Sequence, residues 1–145
     1  MNKLPFLFII ALGFISCNPK SKSGQSVKFQ QYFVEGEQLY AIHCSNCHQK
    51  TGKGLGLLYP PLDRSDYMDQ HLPEVICLIK NGKRGELMVN GEKYNQPMPG
   101  IPTLTNLEIA EIATFIYNSW THEQGIIEVK QVAKILEECG ENNQH

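Results

Sequence analysis

The sequence predicts an all-α domain that carries one small hairpin. Apolar residues recur at helical spacing in three segments of the second half of the chain, residues 73–80, 105–119 and 128–139. Strands are expected only at 87–89 and 92–94, because Asn90-Gly91 between them is typical of a type I′ hairpin turn. With 145 residues, the chain is long enough for one domain with one modest core.

An export signal is predicted ahead of this domain. Lys3 gives a cationic start, and residues 4–15 form an apolar run that is too short to anchor in a bilayer. The following Ser16-Cys17 resembles the end of a bacterial lipoprotein signal, in which Cys17 becomes the lipidated first residue. An ordinary secretory peptide with cleavage nearby is the alternative. Both interpretations place the domain on the periplasmic side, and lipid on Cys17 would anchor it to the membrane.

Residues just beyond Cys17 are rich in Ser, Lys and Gln and poor in apolar side chains, which favours a flexible tether. The chain is therefore divided into a signal peptide at 1–16, a lipidated tether at 17–33, the folded domain at 34–140 and a tail at 141–145.

The first helix of the domain is predicted from about Val34 to His43. Gly36, Tyr40 and His43 recur there at helical spacing. A glycine inside a helix costs about 1 kcal/mol relative to alanine, so Gly36 is interpreted as a point where another helix approaches closely.

The segment Cys44-Ser45-Asn46-Cys47-His48 follows directly and carries the C-x-x-C-H signature for attachment of c-type haem. Thiols at this spacing can form thioethers with the two vinyl groups on one porphyrin edge, and the next residue, His48, can ligate the iron. A zinc half-site would need a second pair of ligands at metal spacing, and a redox C-x-x-C would need a βαβ pattern; the sequence shows neither. The helices are therefore expected to pack around one covalently bound haem c.

A glycine-containing loop leads from this motif to Tyr59-Pro60-Pro61-Leu62. Prolines fix an extended backbone and leave carbonyls free to accept. A ligating histidine needs its second ring nitrogen held by such an acceptor. Short helices are expected next, at 66–70 with Ser65 as cap and at 73–80 before Asn81-Gly82.

Met98 lies between Pro97 and Pro99, where the stiff backbone presents its thioether in one direction. This position suits a second axial iron ligand. Met88 and then Met68 are the competing methionines. His43 is expected at the surface or the haem edge, and the loop histidines are expected to be solvated rather than ligating: His71 and His122.

Two helices complete the domain. Thr105 and Glu108 form a capping box at the start of a helix that runs to about Ser119, and a final amphipathic helix is expected at 128–139. Cys77 and Cys139 remain after the haem and lipid cysteines are assigned. They either form a disulfide in an oxidising compartment or lie free as small buried residues, and the second interpretation is slightly favoured.

Taken together, these motifs resemble the class I cytochrome c family, bacterial monohaem type, over about residues 35–138. The resemblance rests on Cys44-Ser45-Asn46-Cys47-His48, Tyr59-Pro60-Pro61-Leu62, Val89-Asn90-Gly91, Tyr94-Asn95, Met98-Pro99, Leu104-Thr105 and Phe115-Ile116-Tyr117-Asn118-Ser119-Trp120. It implies the cytochrome c fold, thioethers at Cys44 and Cys47, and axial ligation by His48 and Met98. It also implies that the Pro60 carbonyl accepts the His48 ring N–H and that Gly36 and Phe115 mark a helix crossing.

The expected function is electron transfer between respiratory dehydrogenase, reductase or oxidase partners, with no enzymatic activity of its own. The alternative is a haem-based sensor or peroxidase-like protein with a displaceable distal ligand. The formal net charge is only −2 and no basic stripe is present, so nucleic acid is not expected as a partner. The protein is expected to be a monomer or a subunit of a complex.

Overall fold

The computed structural model describes residues 26–142, with side chains as far as Cys139. The predicted signal peptide, the lipidation site at Cys17 and most of the predicted tail lie outside the described residues. The elements follow in the order α1 (Val27–His43), α2 (Ser45–His48), α3 (Asp66–Gln70), α4 (Leu72–Asn81), β1 (Gly82–Lys83), β2 (Leu87–Val89), β3 (Glu92–Tyr94), β4 (Met98–Pro99), α5 (Asn106–Ile116) and α6 (Val129–Asn142). Across this part of the chain, every helix is too short or too polar to cross a bilayer.

Helix α1 begins at Val27 rather than near Val34, so the prediction of a flexible tether is wrong for residues 27–33. The Ser26 side chain caps the helix by accepting from the Phe29 N–H. Phe29 stacks on Phe33 with ring centroids 5.9 Å apart, and Phe33 packs 5.2 Å from the Phe115 ring of α5. These aromatic contacts join the added turns of helix to the domain core.

Helices α1 and α5 cross at Gly36, as the sequence predicts. A Cβ built on Gly36 would collide with the main-chain carbonyl of Glu111 and lie 2.8 Å from the Phe115 Cβ. Only glycine allows this approach. The crossing helices bury the centre of the core, whose fully enclosed members include Tyr40, Ile109, Ile112, Ala113 and Ile116.

Helix α6 packs on α4 and α5, and a disulfide between Cys77 and Cys139 joins it covalently to α4. The two Cα atoms are 6.1 Å apart. The slightly favoured expectation of two free buried cysteines is therefore wrong, and the disulfide alternative is confirmed. Before α6, the Ile127 N–H donates to the Thr114 hydroxyl at 3.0 Å, which attaches the connecting segment to α5.

Two small antiparallel ladders lie between α4 and α5. The predicted hairpin is present as β2 and β3, and its turn residues Asn90 and Gly91 both have positive φ, as a type I′ turn requires. The second ladder, in which β1 pairs with β4, was not predicted. It sets Lys83 opposite Met98 and so fixes the backbone of the predicted distal ligand.

Candidate haem site

His48 ends α2 with its ring held in one orientation. Its Nδ1 lies 3.0 Å from the Pro60 carbonyl oxygen, as predicted. Because a carbonyl only accepts, Nδ1 carries the proton and donates, which leaves the Nε2 lone pair free. Burial lowers the pKa of His48, while the bond to Pro60 acts in the opposite direction. A neutral, oriented imidazole with one free nitrogen is the form that binds a metal ion.

The two motif cysteines precede this histidine: Cys44 is the N-cap residue of α2, and Cys47 lies directly before His48. The Cys44 N–H caps α1 by donating to the Tyr40 carbonyl at 2.9 Å, and the Cys44 carbonyl accepts from His48 N–H at 3.0 Å. Both Cys44 and Cys47 have free thiols. Burial raises the pKa of Cys44 to about 12, with a smaller contribution from Cys47. Neither thiol forms a disulfide, so both are available for covalent attachment.

The Pro60 acceptor is fixed by the glycine-containing loop. A Cβ on Gly54, which has a φ of +64°, would meet the carbonyl groups of Tyr59 and Pro60. The Leu62 N–H donates to the Gly52 carbonyl at 2.7 Å. The Trp120 ring packs against Gly52. Its nearest atoms lie 2.7 Å from the position that a Cβ on Gly52 would occupy. The sequence indicated only a loop here; the close approaches explain why these positions hold glycine.

Two adjoining apolar cavities open beside His48, the first slightly larger than the second. Cys44 lines the first and Cys47 lines the second, while the residues common to both are His48, Pro60, Leu78, Leu87 and Met98. Apolar walls, two thiols and one metal-competent imidazole fit a porphyrin attached through its vinyl groups.

The three candidate methionines differ in position. Met98 lines both cavities from the β1–β4 ladder. Met68 is buried in the core and lines only the larger cavity. Met88 has 49% of its surface exposed and lines neither of these two cavities. Tyr67 also lines the first cavity, and Tyr59 and Tyr94 line the second.

Of the described histidines outside the motif, one differs from its prediction. His43 is exposed and His71 is partly exposed, as expected. His122 is buried, however, so the prediction of a solvated histidine is wrong. Its ring is enclosed because Leu62 and Asp69 each place an oxygen against one of its nitrogens. The turn sequence around His122 contains no local signal for these distant contacts.

The fold and the site together define a small helical haem protein with covalent attachment through a C-x-x-C-H motif. The family model for cytochrome c matches residues 33–120, which is more than half of the chain. This protein therefore belongs to the cytochrome c family, and the class I fold and covalently bound haem c follow from that membership. Members of this family are electron carriers.

Two curated relatives support the assignment. The chain is 30% identical over 93 residues to cytochrome c-552 of Thermus thermophilus, covering 60% of this chain and 69% of that protein. The chain is also 30% identical over 93 residues to a second cytochrome c-552, from a strain of the same organism, and this match covers 61% of that protein's length. Both matches thus leave part of each relative uncovered.

Proposed function

We propose that this protein carries single electrons between respiratory dehydrogenase, reductase or oxidase partners on the outer side of the cytoplasmic membrane, anchored by lipid on Cys17. The observation that carries the proposal is the His48–Pro60 hydrogen bond of 3.0 Å beside cavities that both thiols and Met98 line. When bound, the haem supplies a one-electron couple.

The chain supplies everything else at this site. Cys44 and Cys47 would provide the thioether sulfurs, and His48 Nε2 and the Met98 thioether would bind the iron. With both side chains bound, the iron would have no open position for a substrate or gas, which favours an electron carrier over a sensor or peroxidase. The apolar cavity walls exclude water and lower the local dielectric.

Met98 is preferred to Met68 as the distal ligand because of how each is held. Met98 faces both cavities from a paired strand. The Met68 side chain is part of the core cluster, and its carbonyl accepts from the buried Tyr117 hydroxyl at 2.9 Å. Moving Met68 to a ligating position would disturb that packing.

Matched variants test this assignment. Met98→Leu should abolish the weak far-red absorption band of a methionine bound to ferric iron and lower the reduction potential, because methionine ligation raises it. Met68→Leu, as control, should keep both properties. The assignment fails if Met98→Leu keeps the band and Met68→Leu loses it. Rapid binding of carbon monoxide to the reduced wild-type protein would instead support the sensor or peroxidase function.

Fractionation tests the proposed location. Wild-type protein should sediment with membranes and carry a lipid-modified Cys17 by mass spectrometry. Cys17→Ser should not be lipidated. Recovery of unmodified wild-type protein in the soluble periplasmic fraction would contradict the anchor while leaving electron transfer intact. Reduction of the membrane-bound protein by isolated dehydrogenase complexes would identify its donor.

A further inference from the structure

Gln49, the residue directly after His48, has a backbone conformation that most side chains disfavour. Its φ is 62° and its ψ is 155°. This combination lies in a region of backbone angles that is essentially restricted to glycine. A strained residue persists there only when the surrounding structure holds it in place, so the contacts of Gln49 show what fixes this turn.

Three hydrogen bonds hold Gln49. Its carbonyl accepts from the Tyr40 hydroxyl at 2.6 Å and from the Gly52 N–H at 3.0 Å, which uses both lone pairs of that oxygen. Its side-chain amide donates to the Asn46 carbonyl at 3.2 Å, and this bond is exposed. Tyr40, in contrast, has only 2% of its surface exposed. The Tyr40 hydroxyl is therefore the side-chain donor that is best shielded from competing water.

From Gln49 the hydrogen bonds lead back to the His48 ring. Gly52, whose N–H donates to Gln49, accepts at its own carbonyl from the Leu62 N–H at 2.7 Å. Leu62 lies two residues after Pro60, and the Pro60 carbonyl oxygen lies 3.0 Å from His48 Nδ1. The strained turn therefore holds the segment that carries the acceptor of the His48 ring.

The inference drawn from this arrangement rests on the proposed haem function. We propose that Tyr40 is a positioning residue for His48. Its hydroxyl holds the strained Gln49 carbonyl, and through this turn it keeps the Pro60 acceptor against the imidazole. The hydroxyl donates to Gln49 rather than to the His48 ring, so Tyr40 acts through the backbone.

Tyr40→Phe removes the hydroxyl and keeps the aromatic ring in the core. Gln49 should then relax toward an ordinary backbone angle, and the bond between His48 Nδ1 and Pro60 should loosen. That bond makes the imidazole a more basic ligand, and a more basic ligand favours ferric over ferrous iron. The reduction potential should therefore rise, by about 59 mV for each tenfold loss of the preference for ferric iron.

Two measurements on the haem-loaded protein test this inference. NMR of the reduced form follows exchange of the His48 Nδ1 proton with water, and spectroelectrochemistry gives the reduction potential. Tyr40→Phe should speed the exchange by about 3- to 10-fold, the factor that one hydrogen bond contributes to an opening equilibrium. It should also raise the potential.

Tyr117→Phe is the matched control. It also removes a buried hydroxyl, which donates to the Met68 carbonyl at 2.9 Å. It should lower stability but leave both His48 measurements unchanged. A general loss of stability is thereby separated from loss of positioning.

The double variant Tyr40→Phe with Gln49→Gly separates positioning from a direct electrostatic effect of the hydroxyl, which is the alternative because Tyr40 lines the first cavity. Glycine adopts the backbone angles of residue 49 without being held. Exchange and potential should therefore return toward wild type in the double variant, whereas a direct electrostatic effect would remain.

The strain itself is tested without Tyr40 variants. Gln49→Gly and Gln49→Ala both lose the side-chain bond to Asn46, and only glycine is free of strain at this φ. Gln49→Gly should therefore unfold at a higher urea concentration than Gln49→Ala, and the reverse order would overturn the inference.

The inference is also overturned if Tyr40→Phe leaves exchange and potential unchanged, if Tyr117→Phe changes them equally, or if Gln49→Gly restores neither. Absence of a reversible one-electron wave in the wild-type protein would instead refute the proposed function. The urea comparison at residue 49 needs no electron transfer, so the two failures are distinguishable.

Discussion

Removal of the Cys77–Cys139 disulfide should cost this protein a large share of its stability. The bond closes a loop with a sequence separation of 62 residues. In the chain-entropy treatment, a loop of this length constrains the unfolded state by about 4 kcal/mol at room temperature. The total free energy of unfolding of a domain of this size is about 5–15 kcal/mol. The double variant Cys77→Ser with Cys139→Ser should therefore lose roughly a quarter or more of the stability.

The native state itself should change little in this variant. Ile127, just before α6, and Val132 and Ile135 within α6 remain buried, and Glu128 still pairs with Lys28 of α1 at 2.6 Å. That ion pair is exposed and contributes little to stability, so apolar burial holds the helix. The cost should appear in urea unfolding followed by far-ultraviolet circular dichroism, with a lower midpoint and a steeper slope as the unfolded chain expands.

Wild-type protein with and without reductant provides the comparison. Mass spectrometry of the oxidised wild type should show two hydrogens fewer than the reduced form. Reduced wild type and the double serine variant should then unfold at similar urea concentrations. The reasoning is refuted if the oxidised wild type is disulfide-bonded yet exceeds the serine variant by less than about 1 kcal/mol, well below the range that the loop length predicts.

Three further predictions concern the helices. Gly36→Ala should lower the free energy of unfolding in urea by about 1–3 kcal/mol, because the new Cβ would meet the Glu111 carbonyl. Helix propensity alone predicts the opposite, a gain of about 1 kcal/mol. Gln38→Ala, on the exposed side of α1, is the control, and a Gly36→Ala variant more stable than wild type would contradict the helix crossing. Folding lowers the pKa of Glu108, mainly through the hydrogen bond with the Thr105 backbone and then through the bond with its side chain. The contribution of Glu108 to stability is therefore fully present above the ordinary pKa of a glutamate, and it is lost as pH falls through the lowered pKa of the folded state. The stability difference between wild type and Glu108→Gln should therefore vanish on acidification, and a difference that grows toward low pH would refute this. Tyr117→Phe should cost about 1–3 kcal/mol in urea because the buried Met68 carbonyl loses its donor; an unchanged midpoint would show that the bond contributes nothing.

Features set by neighbouring residues were predictable from the sequence. The Thr105–Glu108 capping box, the Ser65 cap and the Asn90-Gly91 turn each depend on residues within four positions, and each is present as predicted. The His48–Pro60 bond was expected from the family resemblance and is present. These are local patterns or patterns with a known spacing.

Features set by distant contacts were not predictable. Helix α1 starts early because Phe33 packs against Phe115, and no nearby residue reveals that contact. The β1–β4 ladder joins Lys83 to Met98 across two other strands. Composition could not decide whether Cys77 and Cys139 pair, since that depends on α6 lying against α4. Each outcome required the folded arrangement of segments far apart in sequence.

The orientation of the proximal histidine depends on this same long-range arrangement. The motif places His48, but the position of its acceptor follows from what holds the segment after Pro60, namely the Gly52 carbonyl on one side and the His122 ring on the other. The turn that carries His122 is closed by Asn118, whose side chain exchanges two hydrogen bonds of 2.7 Å with the Gly125 backbone. Asn118 and His122 therefore help to hold the segment that directly follows the acceptor of the His48 ring.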